Sequence, residues 1–220
     1  KQQVRRGLID SEASPASPQD VLDAISGRVR ALMAHQQVIL PKLFQALSEE
    51  GVSLVSSDDL SADDITYLSR YFEDNILPVI APLTIDPAHP FPFIADLGFG
   101  LYLGLEDAKG NPKKALILLT PKLKRFIPLP GDAVRLITIE DCILLNLDTI
   151  FPSHECVDEL RFRVLRDSEL EVDEEAEDLV ATFETALKAR RRGNVIALEV
   201  SATSKTDFIE SLVASMDVED

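Results

Sequence analysis

The chain has 220 residues and a formal charge of −16, from 38 acidic against 22 basic residues, with 45% hydrophobic content. That length allows one large domain, or one domain plus a piece of another, with ample material for a core. A surface this acidic repels nucleic acid, anionic membranes and polyphosphate alike, so any anion site must be local and built against the global field.

No apolar run approaches the roughly 18 to 20 residues that cross a bilayer. The opening Lys1-Gln2-Gln3-Val4-Arg5-Arg6-Gly7 leads into a polar Ser/Pro stretch without an apolar secretory core, and the first residue is not Met, which suggests a fragment. Cys142 and Cys156 have no CxxC spacing and imply no disulfide framework, which fits a reducing cytoplasm.

Residues 1–16 read as the end of an upstream helix followed by a linker. Ser17-Pro18-Gln19-Asp20 then starts a helix, with Ser17 as N-cap and Asp20 near the positive helix end. Apolar residues recur at three- and four-residue steps from Val21 through Ile25, Val29, Leu32 and Leu43 to Leu47, which predicts one long amphipathic helix. Pro41 is expected to bend or divide it and Gly51 to end it. Its stripe needs partner helices. One candidate runs from Ala62 to Leu77, capped by Ser61, stopped by Pro78 and carrying Leu68, Tyr71, Phe72, Ile76 and Leu77 on one face. A third helix is expected from residues upstream of Lys1.

Asp86-Pro87-Ala88-His89-Pro90-Phe91-Pro92-Phe93-Ile94 is an extended connection, because Pro87, Pro90 and Pro92 exclude a helix or a central strand. Phe91, Phe93 and Ile94 are expected to pin it to a core. Beyond this seam the period changes from 3.6 to two. Leu97 to Leu105 alternate with Gly98, Gly100, Tyr102 and Gly104, a strand thinned on one face, and form a hairpin with Ala115–Leu119 across the turn 107–112. Short strands are expected at 125–131 and 135–139, a helix at 140–151 and a strand bearing Leu160, Phe162, Val164 and Leu165 with Arg161, Arg163 and Arg166 interleaved. An acidic helix from Asp173 to the basic end Arg190-Arg191-Arg192, a strand at 195–200 and a helix at 207–216 complete the order. The fold class is α+β: an N-terminal helical segment, part of a bundle, over 1–78, followed over 79–220 by a mixed or antiparallel sheet with packed helices.

No catalytic motif is present: the chain has no GxxxxGK[ST] loop, no GxGxxG after a strand, no GxSxG and no HExxH. Gly98 and Gly100 lie in an alternating strand with no helix N-terminus behind them, so backbone thinning accounts for them better than phosphate binding. His89 is weighed as a catalytic or phosphoryl-accepting imidazole against a ring that locks its own turn, and the lack of an acidic partner at a recognisable spacing favours the structural role. His154-Glu155-Cys156 offers too few zinc ligands, since His35 and His89 sit in separate segments, and no metal site is expected. The acidic run Asp167–Asp178 reads as a solvated helix start in preference to a Mg²⁺ site. Arg161 and Arg163 share one strand face, where pairing with carboxylates is favoured over contact with phosphate.

Three stretches resemble the long, histidine-phosphorylating bacterial polyphosphate kinase family. They are Tyr71-Phe72-Glu73-Asp74-Asn75-Ile76-Leu77-Pro78-Val79-Ile80-Ala81-Pro82-Leu83, then Asp86 to Phe93, then Phe162-Arg163-Val164-Leu165-Arg166-Asp167-Ser168-Glu169-Leu170 ahead of the acidic helix. The resemblance implies the end of the family's N-terminal helical domain and most of its middle, or head, domain. It implies a parent enzyme that moves the terminal phosphate of ATP reversibly to polyphosphate through a phosphohistidine with Mg²⁺, in the cytoplasm, with peripheral membrane association left open. The phosphorylated histidine and most phosphate-binding residues belong to C-terminal domains outside this chain. His35, His89 and His154 match no catalytic position, and Leu165 stands where the family commonly has Thr. The expected role is a noncatalytic scaffold and subunit interface of a homo-oligomer, binding neither ATP nor Mg²⁺ tightly by itself, with Arg163 and Arg166 as candidates to line the approach for phosphate. Its expected partners are the catalytic domains and upstream helices of its own chain, with polyphosphate as parent substrate and no nucleic acid. The alternative is a stand-alone interaction or oligomerisation module.

Overall fold

The Ser17 hydroxyl accepts the Asp20 backbone N–H at 3.1 Å, and the Asp20 carboxylate accepts the Ser17 N–H at 3.1 Å. This capping box starts the helix α1 (Pro18–Glu49). A computed structural model describes residues 17–86, 89–167 and 193–216. The expected linker 1–16, Pro87, the acidic helix from Asp173 with its Arg190–Arg192 end, and the tail 217–220 lie outside the described residues.

The other helices are α2 (Ala62–Tyr71), α3 (Ile139–Leu144), α4 (Leu147–Ile150) and α5 (Thr206–Ser215). The strands are β1 (Val52–Leu54), β2 (Leu83–Ile85), β3 (Phe99–Asp107), β4 (Pro112–Leu119), β5 (Phe126–Pro128), β6 (Val134–Thr138), β7 (His154–Arg166) and β8 (Val195–Val200).

Residues 17–54 and Gly131–Leu136 belong to one compact unit; Val55–Pro130 and the residues from Ile137 belong to a second. In the first unit α1 runs as one helix through Pro41, so of the bend or division expected there the helix is not divided. Proline removes one donor, to the carbonyl four residues back, and the helix continues on both sides. Gly51, at φ 83°, takes the left-handed conformation that closes the helix as expected. β1 then pairs in parallel with β6, Val52 opposite Val134 and Leu54 opposite Leu136. No residue of α1 is buried.

In the second unit a five-stranded antiparallel sheet has the order β2-β4-β3-β7-β8. The period of two splits the side chains of β3 between two cores. Leu101, Leu103 and Leu105 meet Ala115 and Ile117 of β4, Leu68 of α2, and Cys142 and Ile143 of α3. Tyr102, on the other face, joins Leu116, Leu160, Phe162, Val164 and the α5 residues Phe208 and Leu212. The glycine-bearing face of β3 is therefore the one that α5 covers: the Tyr102 and Phe208 rings stack at 4.7 Å, and a Cβ at Gly104 would sit 3.4 Å from the Phe208 ring.

The α2 helix begins with a second capping box, Ser61 with Asp64, and continues into a π turn over Phe72–Ile76. Leu68, Phe72 and Ile76 are all buried in the first of these cores, so the face expected to pair with the long helix is used on the sheet. The helix expected over 140–151 is two short ones, α3 and α4, because the Asn146 side chain donates to the Cys142 carbonyl at 2.8 Å and Asn146 leaves helical geometry. β7 is longer than the apolar pattern indicated; its first residues alternate polar and half-buried side chains along the Glu106 end of β3.

Phe72→Ala is expected to destabilise the second unit by about 3–5 kcal/mol in urea unfolding, while Ile25→Ala on the exposed stripe of α1 changes stability by no more than about 0.5 kcal/mol. Equal effects would contradict this assignment of the core.

Candidate functional site

Pairing of β3 with β7 sets Leu101 opposite Arg161 and Phe99 opposite Arg163, so the two arginines share one face, as their spacing indicated. The same face carries α3. The Arg161 guanidinium donates to Asp141 at 2.7 Å, and the Asp141 backbone N–H in turn donates to the Thr138 hydroxyl at 3.2 Å. Arg161 thereby ties the sheet to the capped start of α3. Arg163 approaches Glu199, its neighbour across β7 and β8, at 3.5 Å, with the two side chains 40% and 42% exposed. A pair so wet contributes at most about 1 kcal/mol.

Arg166 lies at an even position, so the period of two puts it on the opposite face of β7 from Arg161 and Arg163, beside an extra residue in β8 where the pairing register shifts. Its Nε donates to the Ile94 carbonyl at 2.6 Å and its Nη1 to the Gly193 carbonyl at 2.7 Å, while its backbone N–H donates to Asp96 at 2.7 Å. The guanidinium lies 4.5 Å from the Phe93 ring centre. Desolvation in this setting lowers its pKa. Arg163 and Arg166 are thus not brought together by their guanidinium contacts. One faces a cleft, and the other holds the proline-rich stretch to the end of β7.

That stretch is pinned by two of the three residues expected to do so: Ile94 is buried and Phe91 packs on the same core, whereas Phe93 is 50% exposed beneath the Arg166 guanidinium; Pro92 is half-buried, and His89 and Pro90 are exposed. His89 does have an acidic neighbour. Its Nδ1 lies 3.2 Å from the Asp86 carboxylate, and its backbone N–H donates to the Asp86 carbonyl at 3.0 Å. A reading by motif spacing passes over a partner three residues away on the same turn. His35 is exposed on α1, and His154 sits between the Pro152 carbonyl at 3.2 Å and Lys113 Nζ at 3.0 Å.

The cleft has a volume of about 640 Å³ and lies between the segment Ile94–Phe99, the end of β4 with the loop after it, Arg125, Ile139 and Arg163. Phe99 is its centre: the Arg125 guanidinium stands 4.2 Å and that of Arg163 5.9 Å from the ring centre. Arg125 donates at 2.5 Å to Glu140, which is 1% exposed and whose second carboxylate oxygen is buried without a hydrogen-bond partner. Arg125 was not legible as a site residue, since in sequence it only opens a short strand, and its partner lies 15 residues on in α3.

Leu97, beside Phe99, is 63% exposed at φ 58°. Burial pushes the Cys142 thiol up to about 12 and that of Cys156 up to about 11. Among the described residues no group of three or more His, Cys, Asp or Glu is gathered to hold a metal ion.

Residues 63–220 match the family model described as "Polyphosphate kinase middle domain". Proteins named polyphosphate kinase are 40% identical over 90% of this chain in Erythrobacter litoralis and 34% identical over 99% of it in both Mycolicibacterium gilvum and Streptomyces coelicolor. The chain spans 28%, 31% and 29% of those relatives respectively. The crystal structure of polyphosphate kinase from Porphyromonas gingivalis superposes with a TM-score of 0.71 at 21% identity, over 90% of this chain and 29% of that one. No helix among the described residues is long and apolar enough to cross a membrane.

Arg125→Met is expected to cost about 2–4 kcal/mol in urea unfolding, because it strands the buried Glu140 carboxylate, and Arg125→Met with Glu140→Leu recovers part of that loss. A neutral single variant would contradict the pairing. Both thiols are held above their ordinary pKa and stay protonated at neutral pH. Iodoacetamide at pH 7.5 is therefore expected to leave both unmodified in the folded chain and to alkylate both in urea, as read by intact mass.

Proposed function

This chain belongs to the polyphosphate kinase family, and from that premise we propose that it is a noncatalytic portion of an enzyme that transfers the terminal phosphate of ATP reversibly to polyphosphate, through a phosphohistidine outside this chain. The observation that carries the reading is the match over 63–220 to a middle domain, taken with described residues that bring together no nucleophile, base and phosphate-binding loop. ATP and Mg²⁺ serve the parent enzyme, in a cytoplasmic setting, and are held by domains beyond these residues.

The work of the chain in this reading is scaffold and subunit interface. The five-stranded sheet with helices on both faces supplies rigidity, and the uncovered apolar stripe of α1 supports packing against further protein, whether in the parent or in a stand-alone interaction module. The boundary expected between 78 and 79 falls after α2 and its π turn. Because α2 contributes Leu68 to the second unit's core, we place the working boundary between Leu54 and α2. Arg163 offers an anion contact at the cleft, and Arg166 fixes the wall behind it.

Calorimetric titration of the purified chain with long-chain polyphosphate and with Mg-ATP tests this. No heat with Mg-ATP and weak, salt-sensitive polyphosphate binding that falls in Arg163→Ala are the expected results. Polyphosphate binding absent from the folded chain would remove the phosphate role of Arg163 and leave the scaffold. A phosphorylated histidine within the chain after incubation with Mg-ATP, seen by mass spectrometry, would overturn the noncatalytic assignment.

A further inference from the structure

We propose that the Phe99 cleft is a binding site for a small planar apolar group carrying a single anionic group, such as a nucleoside monophosphate or an aryl carboxylate. The proposal rests on the reading of Arg163 as an anion contact and specifies the ligand.

Volume and walls come first. At about 640 Å³ the cleft lies in the range that takes up small organic ligands, roughly 300–1,000 Å³. Its walls are largely apolar, with Ile94, Leu97, Phe99, Leu118, Leu123 and Ile139 in them. These surfaces give a bare phosphate chain nothing, and the Asp96 carboxylate in the same wall repels a polyanion. A flat ring gains from them, and Phe99 offers a face or edge for stacking.

The two cations differ in how far they are committed. Arg125 is held at 2.5 Å by the buried Glu140 and keeps its place above Phe99. Among the described residues Arg163 has the 3.5 Å approach of Glu199 as its ion pair, with the two side chains 40% and 42% exposed. A ligand carboxylate or phosphate displaces Glu199 at little cost and gains a charge-assisted bond from the Arg163 fork. One exchangeable guanidinium accommodates one anionic group.

Leu97 adds an independent sign. It is a large apolar residue in the left-handed region, at φ 58°, and 63% exposed. That conformation strains a residue with a Cβ, and such strain concentrates at ligand clamps. Its position in the cleft wall puts an exposed apolar side chain where a bound ring would cover it.

The test is a titration of the uniformly ¹⁵N-labelled chain followed by amide NMR, with AMP, 2-naphthoate, adenosine, 2-naphthylmethanol and tripolyphosphate as separate probes. Saturable shifts at Gly98, Phe99, Leu119 and Thr120 with AMP or 2-naphthoate are expected, about tenfold weaker with the matching uncharged probe. AMP acting alone identifies a nucleotide, and 2-naphthoate acting alone identifies an aryl carboxylate. Arg163→Gln is expected to remove the advantage of the charged probe, and Glu199→Gln, which frees Arg163, to tighten binding several-fold. Both variants sit at half-buried positions, and their amide spectra report whether the fold is kept. The proposal is overturned if neither charged probe shifts the cleft amides saturably, if Arg163→Gln and Glu199→Gln leave the affinities unchanged, or if tripolyphosphate binds there as tightly as the aromatic anions. This last result would keep Arg163 as a phosphate contact while rejecting the aromatic ligand.

Discussion

The second unit depends on how closely neighbours approach β3. This strand is hydrogen-bonded on both sides, to β4 and β7, and covered on both faces by helices. It can be so enclosed only where its own side chains leave room. A Cβ at Gly100 would stand 2.5 Å from the Ile117 carbonyl oxygen, and one at Gly104 would stand 3.1 Å from Asp158 Cβ and close to the Phe208 ring. Replacing hydrogen with methyl there moves backbone or the ring of α5, and the interior has no slack to absorb it. The Leu101 face holds α2 and α3, and the Tyr102 face holds α5, so displacing β3 disturbs both cores at once.

The electrostatics follow from the same enclosure. In a chain of charge −16 the arginines near the sheet are each met locally. Arg161 joins β7 to α3 through Asp141, Arg125 answers the buried Glu140, and Arg166 donates to carbonyls that close the proline-rich stretch onto the sheet. These contacts commit the cations to the architecture of the unit itself. Arg163 differs in that its approach to Glu199 is longer, at 3.5 Å, with both side chains partly in water.

Much of this was legible in the sequence because it is periodic or capped. The Leu/Gly alternation of β3, the serine caps at Ser17 and Ser61 and the shared face of Arg161 and Arg163 all rest on local rules that the fold obeys. What escaped depends on contacts distant in sequence or on very short elements. The three-residue β1 and β2 carry no periodic signal, and each is defined by its partner. Arg125 becomes a cleft residue only when α3 folds Glu140 beneath it, and Asp86 becomes the neighbour of His89 only through a tight turn. Pro41 does not divide α1, since the loss of a single donor does not outweigh the turns on either side. The family resemblance anticipated the middle-domain match, yet the cleft required the register of three strands.

The most direct test of the central role of β3 is to make one substitution, glycine to alanine, at two positions and compare urea unfolding. At Gly100 the added methyl meets backbone, whereas at Gly27 on α1 nothing lies within 4 Å. The account predicts that Gly100→Ala destabilises the sheet unit by about 2–3 kcal/mol or more through overpacking, while Gly27→Ala is neutral or stabilises its helix by up to about 1 kcal/mol. A Gly100→Ala chain as stable as the original would contradict the claim that close approach to β3 organises the fold.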